Sequence, residues 1–555
     1  MKKRVTKNGL TVNAIVGTHC VFLGFDMAKS DAKNLLGFAI QRLDVTEQET
    51  VWLRSIKTFA SVRALAGQED ASSLTAPFQS FQWADYTAKP GHNYKYSVFP
   101  MSGKPGKLVQ GAGATVAVTA ESPEGPKHSV YFNRGAIASQ AYAKRFGLVD
   151  PFKPGQEAAL VWLARDILPG ILAFIKRAKD GDYALRVAIY EAHFAPILDA
   201  LAAAKASGVD LQIVYGATAS DTTTPKNIAA IAAAGLNGVS TPRVNAKIPH
   251  NKFIVLLKKG KPVSVWTGSM NWSDNAVYGQ LNSGHAINDA VIAKRYLQFW
   301  DSLKANDPAP AELRTWVDAN SAIPAVNNLA PVSELFSPHS GKQAYQFYLD
   351  VTPLATRGLF MTFPFGMSKE FRAAYDKNDQ TLRYALLDKY VNGGNKASQQ
   401  AAIDDTIRVR KLPNVGMALG SSIKVKSIDG WMKEASPIGV HVNWVHTKFM
   451  VVDPLGAAPI VITGSANWSL PSTNENDENM LVINGDQRVA HIYFTEFMRL
   501  FAHHRFRESV ARHLAQTGST ENWQPQNLKE TADEWVPVNF TAGTEYDLRR
   551  RYFAG

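Results

Sequence analysis

Two short segments carry the residues best suited to chemistry, and they repeat one another. His250-Asn251-Lys252 is followed by Thr267-Gly268-Ser269-Met270-Asn271-Trp272-Ser273, and His446-Thr447-Lys448 by Thr463-Gly464-Ser465-Ala466-Asn467-Trp468-Ser469. Every matched position is displaced by the same 196 residues: His446 against His250, Lys448 against Lys252, Asn467 against Asn271. Spacing inside the unit is therefore held. Two such units facing each other would offer two histidines, two lysines and two asparagines to one phosphorus atom. A neutral imidazole can attack phosphorus, and a protonated one can donate to the departing alkoxide. Ammonium groups and amides can hold the oxygens where charge develops. This chemistry calls for no metal and no cofactor.

The surrounding residues predict how these groups are positioned. A His and a Lys two apart on a strand project from one face. Phe449 to Val452, and the residues after Lys252 through Leu257, are apolar on both faces, as in a strand buried between layers. Each Gly-Ser-x-Asn turn follows a further apolar strand, Val263–Trp266 or Ile460–Ile462. Glycine permits the tight turn, and the Ser269 and Ser465 hydroxyls are expected to bind substrate oxygens beside Asn271 and Asn467.

At 555 residues the chain exceeds one ordinary core. Hydrophobic residues at 45% exclude a disordered chain. Sixty Lys and Arg against 48 Asp and Glu give +12, which favours an anionic partner: nucleic acid, an acidic membrane surface or a phosphate-bearing substrate. Cys20 is the single cysteine, which excludes an internal disulfide and a thiolate cluster within one chain. Leu10 to Phe25, interrupted by Asn13, Thr18 and His19, reads as strand despite the basic start Lys2-Lys3-Arg4. No apolar run reaches the length of a transmembrane helix. The expected location is the cytoplasm, with secretion lacking a cleaved signal left open.

Along the chain, residues 1–145 are expected to form an all-β sandwich. Tyr94, Tyr96 and Val98 alternate after the turn pair Pro90-Gly91. From 155 to 305 strands and helices alternate: Leu185–Tyr190, a helix from Phe194 to Ala206 stopped by Gly208, then Leu211–Tyr215. Residues 306–335 read as a linker and 336–515 as a second α/β lobe, with Leu359–Phe363 its first strand. Residues 516–555 are expected to be a tail, an extended strap or mobile.

On these residues the chain resembles the phospholipase D superfamily, over roughly residues 155–510. His446, Lys448 and Asp453 complete that family's His-x-Lys-x(4)-Asp motif; Leu257 stands where the first copy would have its Asp. The resemblance implies an α/β fold of two phospholipase D-like lobes forming a pseudo-dimer behind the sandwich. It implies a phosphohistidine intermediate, with His250 as nucleophile and His446 as acid and base. Glu478 occupies the family's place for a carboxylate after the second turn, and Asn282 is its counterpart in the first lobe. Glu478 is expected to cross the lobe interface and orient His250; Asn282 is expected at the substrate, and Asp453 to be structural. The stretch Ala88–Val98 resembles a late-strand signature of fibronectin type III domains, in which a tyrosine closes a corner of the sandwich.

Other candidates have plainer explanations. Trp272 and Trp468 are expected in the core. His503-His504-Arg505 reads as a solvated helix face. Glu191 and His193, at a strand end, are candidates for the pocket wall, and Lys258, Lys259 and Lys261 for a hairpin turn. The catalytic segments explain the Asn-x-Ser patterns at Asn271 and Asn467 better than glycosylation does. The expected partner is an anionic phosphodiester. Phospholipid, with peripheral membrane contact, is favoured, and nucleic acid is the alternative. A non-catalytic anion-binding protein is the third class.

Overall fold

The structure is a computed structural model that describes residues 1–62, 71–135, 142, 145–147, 149–391, 394–420, 445–517 and 527–555, with side chains undescribed in 510–517. Apolar residues on both faces of the strands after Lys252 and Lys448 require cover on both sides, and each lobe supplies it. In the first lobe a seven-stranded sheet runs in the order His128–Phe132, Ser283–Ile287, Lys261–Gly268, Lys252–Lys258, Tyr183–Ile189, Asp210–Gly216, Ser240–Arg243. The second lobe repeats the order with Val332–Ser337, Glu478–Asn484, Ile460–Gly464, Phe449–Val452, Gly358–Phe363, Leu382–Leu387 and Val415–Leu419. In both lobes the His-x-Lys strand lies at the centre, antiparallel to its neighbours. The strand–helix–strand unit at 183–216 is parallel, and Gly208 ends its helix at φ +93°. A core containing Tyr296, Phe299, Phe336, Phe449, Tyr493 and Phe497 joins the lobes.

The N-terminal module is all-β. One sheet pairs Lys2–Lys7, Leu10–Val16, Val21–Met27 and Gln82–Asp85 in that order. The other is built around the long strand Asn93–Lys104. Tyr94 is buried and its hydroxyl accepts the amide of Lys89 at 2.9 Å, tying the turn at Pro90 to the strand that follows.

Several boundaries differ from the sequence expectation. His128–Phe132 pairs with Ser283–Ile287 and belongs to the first lobe, not to the sandwich. Residues 306–335 hold a helix, Pro310–Asn320, with Leu313 and Val317 buried, and the start of an edge strand, Val332–Ser337, which precedes Leu359–Phe363 in the second lobe. Alanine and proline density hid both apolar faces. The tail is neither strap nor loose end where it is described. Helices Val536–Asn539 and Glu545–Ala554 lie on the sandwich. Trp535 Nε1 donates to Leu35 O at 2.9 Å, and a Cβ on Gly24 would stand 2.2 Å from Phe553 O. Residues 63–70, 136–141 and 143–144 of the expected sandwich, 392–393 and 421–444 of the expected second lobe, and 518–526 of the expected tail lie outside the described residues. His504 is buried in the helix Gln487–Thr517 rather than solvated, because that helix packs against the second lobe's sheet, with Phe501 on Tyr384.

Asp453 has φ +44°, and its carboxylate accepts from the amides of Thr356, Arg357 and Gly358 and from the Thr356 hydroxyl at 2.7–2.9 Å. It thereby anchors the neighbouring strand to the His446 strand. In the first lobe Leu257 continues the strand, paired with Ala184, past a bulge. Removing these contacts leaves the part-buried Gly358 amide without its acceptor, while water can reach those of Thr356 and Arg357, so Asp453→Ala should cost about 1–3 kcal/mol in stability by chemical denaturation. A loss below about 0.5 kcal/mol would contradict this anchoring.

Candidate functional site

The two lobes close on one cavity of about 420 Å³, lined by His250 and His446 together with Asn271 and Asn467. Each histidine lies just before its central strand, so the strand's buried apolar residues fix its origin. Gly268 and Gly464 are required where the turns cross the neighbouring strand: a Cβ would sit 2.2 Å from Ser283 O in one lobe and from Asn479 O in the other. Those close crossings deliver Asn271 and Asn467 to the cavity.

Each imidazole is held by a residue of the opposite lobe. His250 Nδ1 lies 2.8 Å from Glu478 Oε2, and His446 Nδ1 lies 2.9 Å from Asn282 Oδ1. Asn282 Nδ2 donates to Ala276 O at 2.8 Å, so its Oδ1 is the acceptor and His446 carries its hydrogen on Nδ1. A carboxylate likewise takes the Nδ1 hydrogen of His250. Both rings are left with Nε2 as the reactive atom. Lys252 and Lys448 each turn back to donate to the carbonyl of their own histidine at 2.7 Å. Lys252 also lies 5.3 Å above the Tyr190 ring.

Further contacts lock the lobes together. Arg243 Nε meets Asp477 Oδ2 at 2.9 Å with both side chains 1% exposed, and the Asp477 amide donates to Ile248 O at 3.0 Å. Asn479 Nδ2 donates to Asn251 Oδ1 at 2.8 Å, and the His446 amide to Leu281 O at 3.2 Å. None of these partners stood out in the sequence, because each pairs residues more than 160 positions apart.

The structure corrects three expected roles. Ser269 and Ser465 are fully buried and do not reach the substrate space. Ser269 donates to Asn282 Oδ1 at 2.8 Å and Ser465 to Glu478 Oε2 at 2.6 Å, so they brace the groups that brace the histidines. Asn282, expected at the substrate, has both amide ends occupied by protein. Strand alternation shows which face a side chain takes but not what it meets there.

The remaining candidates fall as follows. Trp272 and Trp468 are core, with Trp468 Nε1 donating to Thr362 O at 2.7 Å. Lys258, Lys259 and Lys261 sit at the far end of the strand from His250, about 20 Å away, and do not line the cavity. Glu191 and His193 do line it. So do Tyr190, Thr223 and Lys226, which sequence reasoning missed. Lys226, Asn271 and Asn467 line the cavity against the one lining carboxylate Glu191, with Lys252 and Lys448 buried beside the histidines, which suits an anion better than a metal cation. Among the described residues, the cluster of metal-ligating type is Asp44, Glu47 and His92 in the sandwich, where Lys89 already pairs with Glu47.

Comparison with known proteins bears on the lobes. The family model described as "Cardiolipin synthase, PLD-like domain" matches residues 171–304 and 404–501, one segment in each lobe. Phosphatidylserine synthase of Haemophilus influenzae Rd KW20 is similar at 14% identity and TM-score 0.42, over 64% of this chain and 92% of that one. Nuc of Salmonella typhimurium, a phospholipase D family member, is similar at 24% identity and TM-score 0.23, over 33% and 96%. Yeast tyrosyl-DNA phosphodiesterase is similar at 10% identity and TM-score 0.31, over 56% and 84%. No curated protein matches the sequence.

Burial, with two lysines close by, sets the protonation of the site. Burial first, then Lys252 and Lys448, outweigh Glu478 and push His250 down to about 4. Burial and the same lysines hold His446 well below the ordinary histidine range. Burial also pushes Lys252 down to about 7, and Lys448 well below its usual range. Burial works to raise Glu478, but His250, Lys252 and Ser465 hold it below the usual carboxylate range. At neutral pH the site by itself therefore holds fewer protons than its composition suggests.

Two outcomes follow. An oxyanion entering the site favours the charged forms of its neighbours, so tungstate binding at pH 7.5 should take up about one proton. Titration calorimetry in buffers of different ionisation enthalpy measures this; proton release would refute the electrostatics. Lys252 has a folded value below its unfolded one, so its stability contribution is full only above about 10.4 and is lost as pH falls towards 7. Lys252→Met should therefore raise the melting temperature at pH 7 while abolishing activity. An unchanged or lowered melting temperature would count against it.

Proposed function

We propose that this chain, whose two lobes have the phospholipase D-like fold, is a metal-independent phosphodiesterase acting through a phosphohistidine on His250. The observation that carries this reading is the reciprocal tie: each lobe fixes the other's imidazole, and both rings line one cavity. Neutral His250 attacks phosphorus through Nε2, while Glu478 stabilises the charge arriving on the ring. The bond to the leaving oxygen breaks, and His446, protonated once the anion is bound, gives that oxygen its Nε2 proton. His446 then takes a proton from water or an alcohol, whose oxygen displaces His250 and returns it neutral. Lys252, Lys448, Asn271 and Asn467 hold the equatorial oxygens throughout. Asn282 is neutral, which suits a ring that must gain and lose a proton; Glu478 suits one that becomes cationic on attack.

A phosphatidyl substrate is the favoured reading. The cavity accommodates a phosphodiester with a small head group, and Ile248 and Phe365 line it with apolar surface. Acyl chains would remain outside at the membrane surface. Among the described residues no single helix is long and apolar enough to cross a membrane, so contact would be peripheral. A nucleic-acid substrate is the second reading, favoured by the net charge of +12.

The test supplies labelled mixed-phospholipid vesicles and labelled single- and double-stranded DNA, each with EDTA. Head-group release is expected from vesicles, falling on the order of 10⁴-fold in His250→Ala and His446→Ala. DNA cleavage with the same dependence on both histidines would establish the second reading. Turnover unaffected by either substitution would refute the mechanism.

A further inference from the structure

The first-lobe wall of the cavity holds polar groups that phosphoryl transfer leaves idle. Asn227 is fully buried and organises this wall. Its Nδ2 donates to the carbonyls of Tyr190 at 2.9 Å and Gly216 at 2.8 Å, so its Oδ1 is the accepting end. That oxygen takes the amide of Ala192 at 2.8 Å and His193 Nδ1 at 3.1 Å. His193 thus carries a hydrogen on Nδ1, and in its neutral form Nε2 is an acceptor. Glu191 lines the cavity beside it; among the described residues its side chain has no hydrogen bond or ion pair, and its charge acts on Lys252.

Two acceptors, the Glu191 carboxylate and His193 Nε2, therefore line a space meant for an anion that has no hydrogen to give. A carboxylate near a phosphodiester is costly unless a donor lies between them. Lys226 on the same wall can answer the anion's charge, which leaves Glu191 and His193 to take a donor from the rest of the substrate. An ammonium could supply it, but Lys226 lines the same wall and would repel it. A hydroxyl both donates and accepts, and so suits the acceptors and the lysine together.

The pseudo-twofold breaks at this wall. Glu191 stands two residues beyond the strand Tyr183–Ile189, and Phe365 stands two residues beyond the corresponding strand Gly358–Phe363. Both line the cavity. One side of the phosphorus site is acidic and hydrogen-bonding, the other aromatic. The two ester arms of the substrate would meet different surroundings.

We propose that Glu191, His193 and Lys226 form a recognition subsite for a hydroxyl-bearing alcohol arm of the diester. His193 and Glu191 accept from its hydroxyl, and Lys226 donates to it. This rests on the phosphodiesterase reading but concerns selectivity, and binding tests it without turnover. Calorimetry would compare methylphosphonate monoesters bearing ethyl, 2-hydroxyethyl or 2-aminoethyl arms. The hydroxyethyl ester should bind about tenfold more tightly than the ethyl ester. Glu191→Gln and His193→Phe should each cut that ratio to about twofold. The ratio is the readout, since a variant that merely loosens the fold weakens both ligands together. Equal affinities, preference for the aminoethyl arm, an unchanged ratio in the variants, or no binding by any ester would overturn the proposal. Hydrolysis of an aryl phosphodiester reports on the catalytic reading separately: turnover without hydroxyethyl preference would sink the subsite alone.

Discussion

A buried carboxylate hydrogen-bonded across a lobe interface is the constraint on which the site depends. Glu478 is fully buried and reaches His250 of the other lobe, while Ser465 and Asn476 hold its two oxygens. Burying a charge is costly unless it is hydrogen-bonded, and the His250 imidazole with the Ser465 hydroxyl and Asn476 amide provide those bonds. The same carboxylate thus requires that the lobes be closed. With the lobes apart, Glu478 would lose His250, and His446 would lose Asn282. The geometry of the site and the lobe interface are one structure.

Around that bond the two lobes are alike in backbone and unlike in charge. The strand order repeats, and the lysine-to-carbonyl bonds have the same 2.7 Å length. Three matched positions near the histidine strands differ in charge: Glu478 against Asn282, Asp477 against Leu281, Asp453 against Leu257. Asp477 and its buried partner Arg243 add a second clamp on the side that carries His250. A repeat can thereby give two chemically different histidines: one beside a fixed negative charge, the other beside a neutral amide. Different roles for identical residues follow from these neighbours.

Much of this was legible from residue spacing. The constant 196-residue offset pairs the two motifs, and it also places Asn282 opposite Glu478, from which the asymmetry of the histidines can be anticipated. Alternation put His and Lys on one face, and the apolar runs marked the central strands. What stayed hidden depends on partners rather than on periodicity. Ser269 and Ser465 looked like phosphate ligands because a hydroxyl next to a glycine turn is free to donate, yet their partners lie 13 residues away on the adjacent strand. Asn227 gave no signal at all, since nothing in a helix start predicts four bonds to two neighbouring strand ends. The helix at Pro310–Asn320 was obscured by composition, and the helix Glu545–Ala554 was missed because the run Arg549-Arg550-Arg551 interrupts its apolar residues.

The central claim is that His250, not His446, carries the phosphoryl group. The direct measurement is rapid acid-free quenching during turnover, followed by digestion and mass spectrometry of the labelled peptide. The phosphoryl adduct should lie on His250, and should accumulate in His446→Asn when the leaving group needs no protonation. An adduct on His446, or one that persists after His250→Ala, would contradict it.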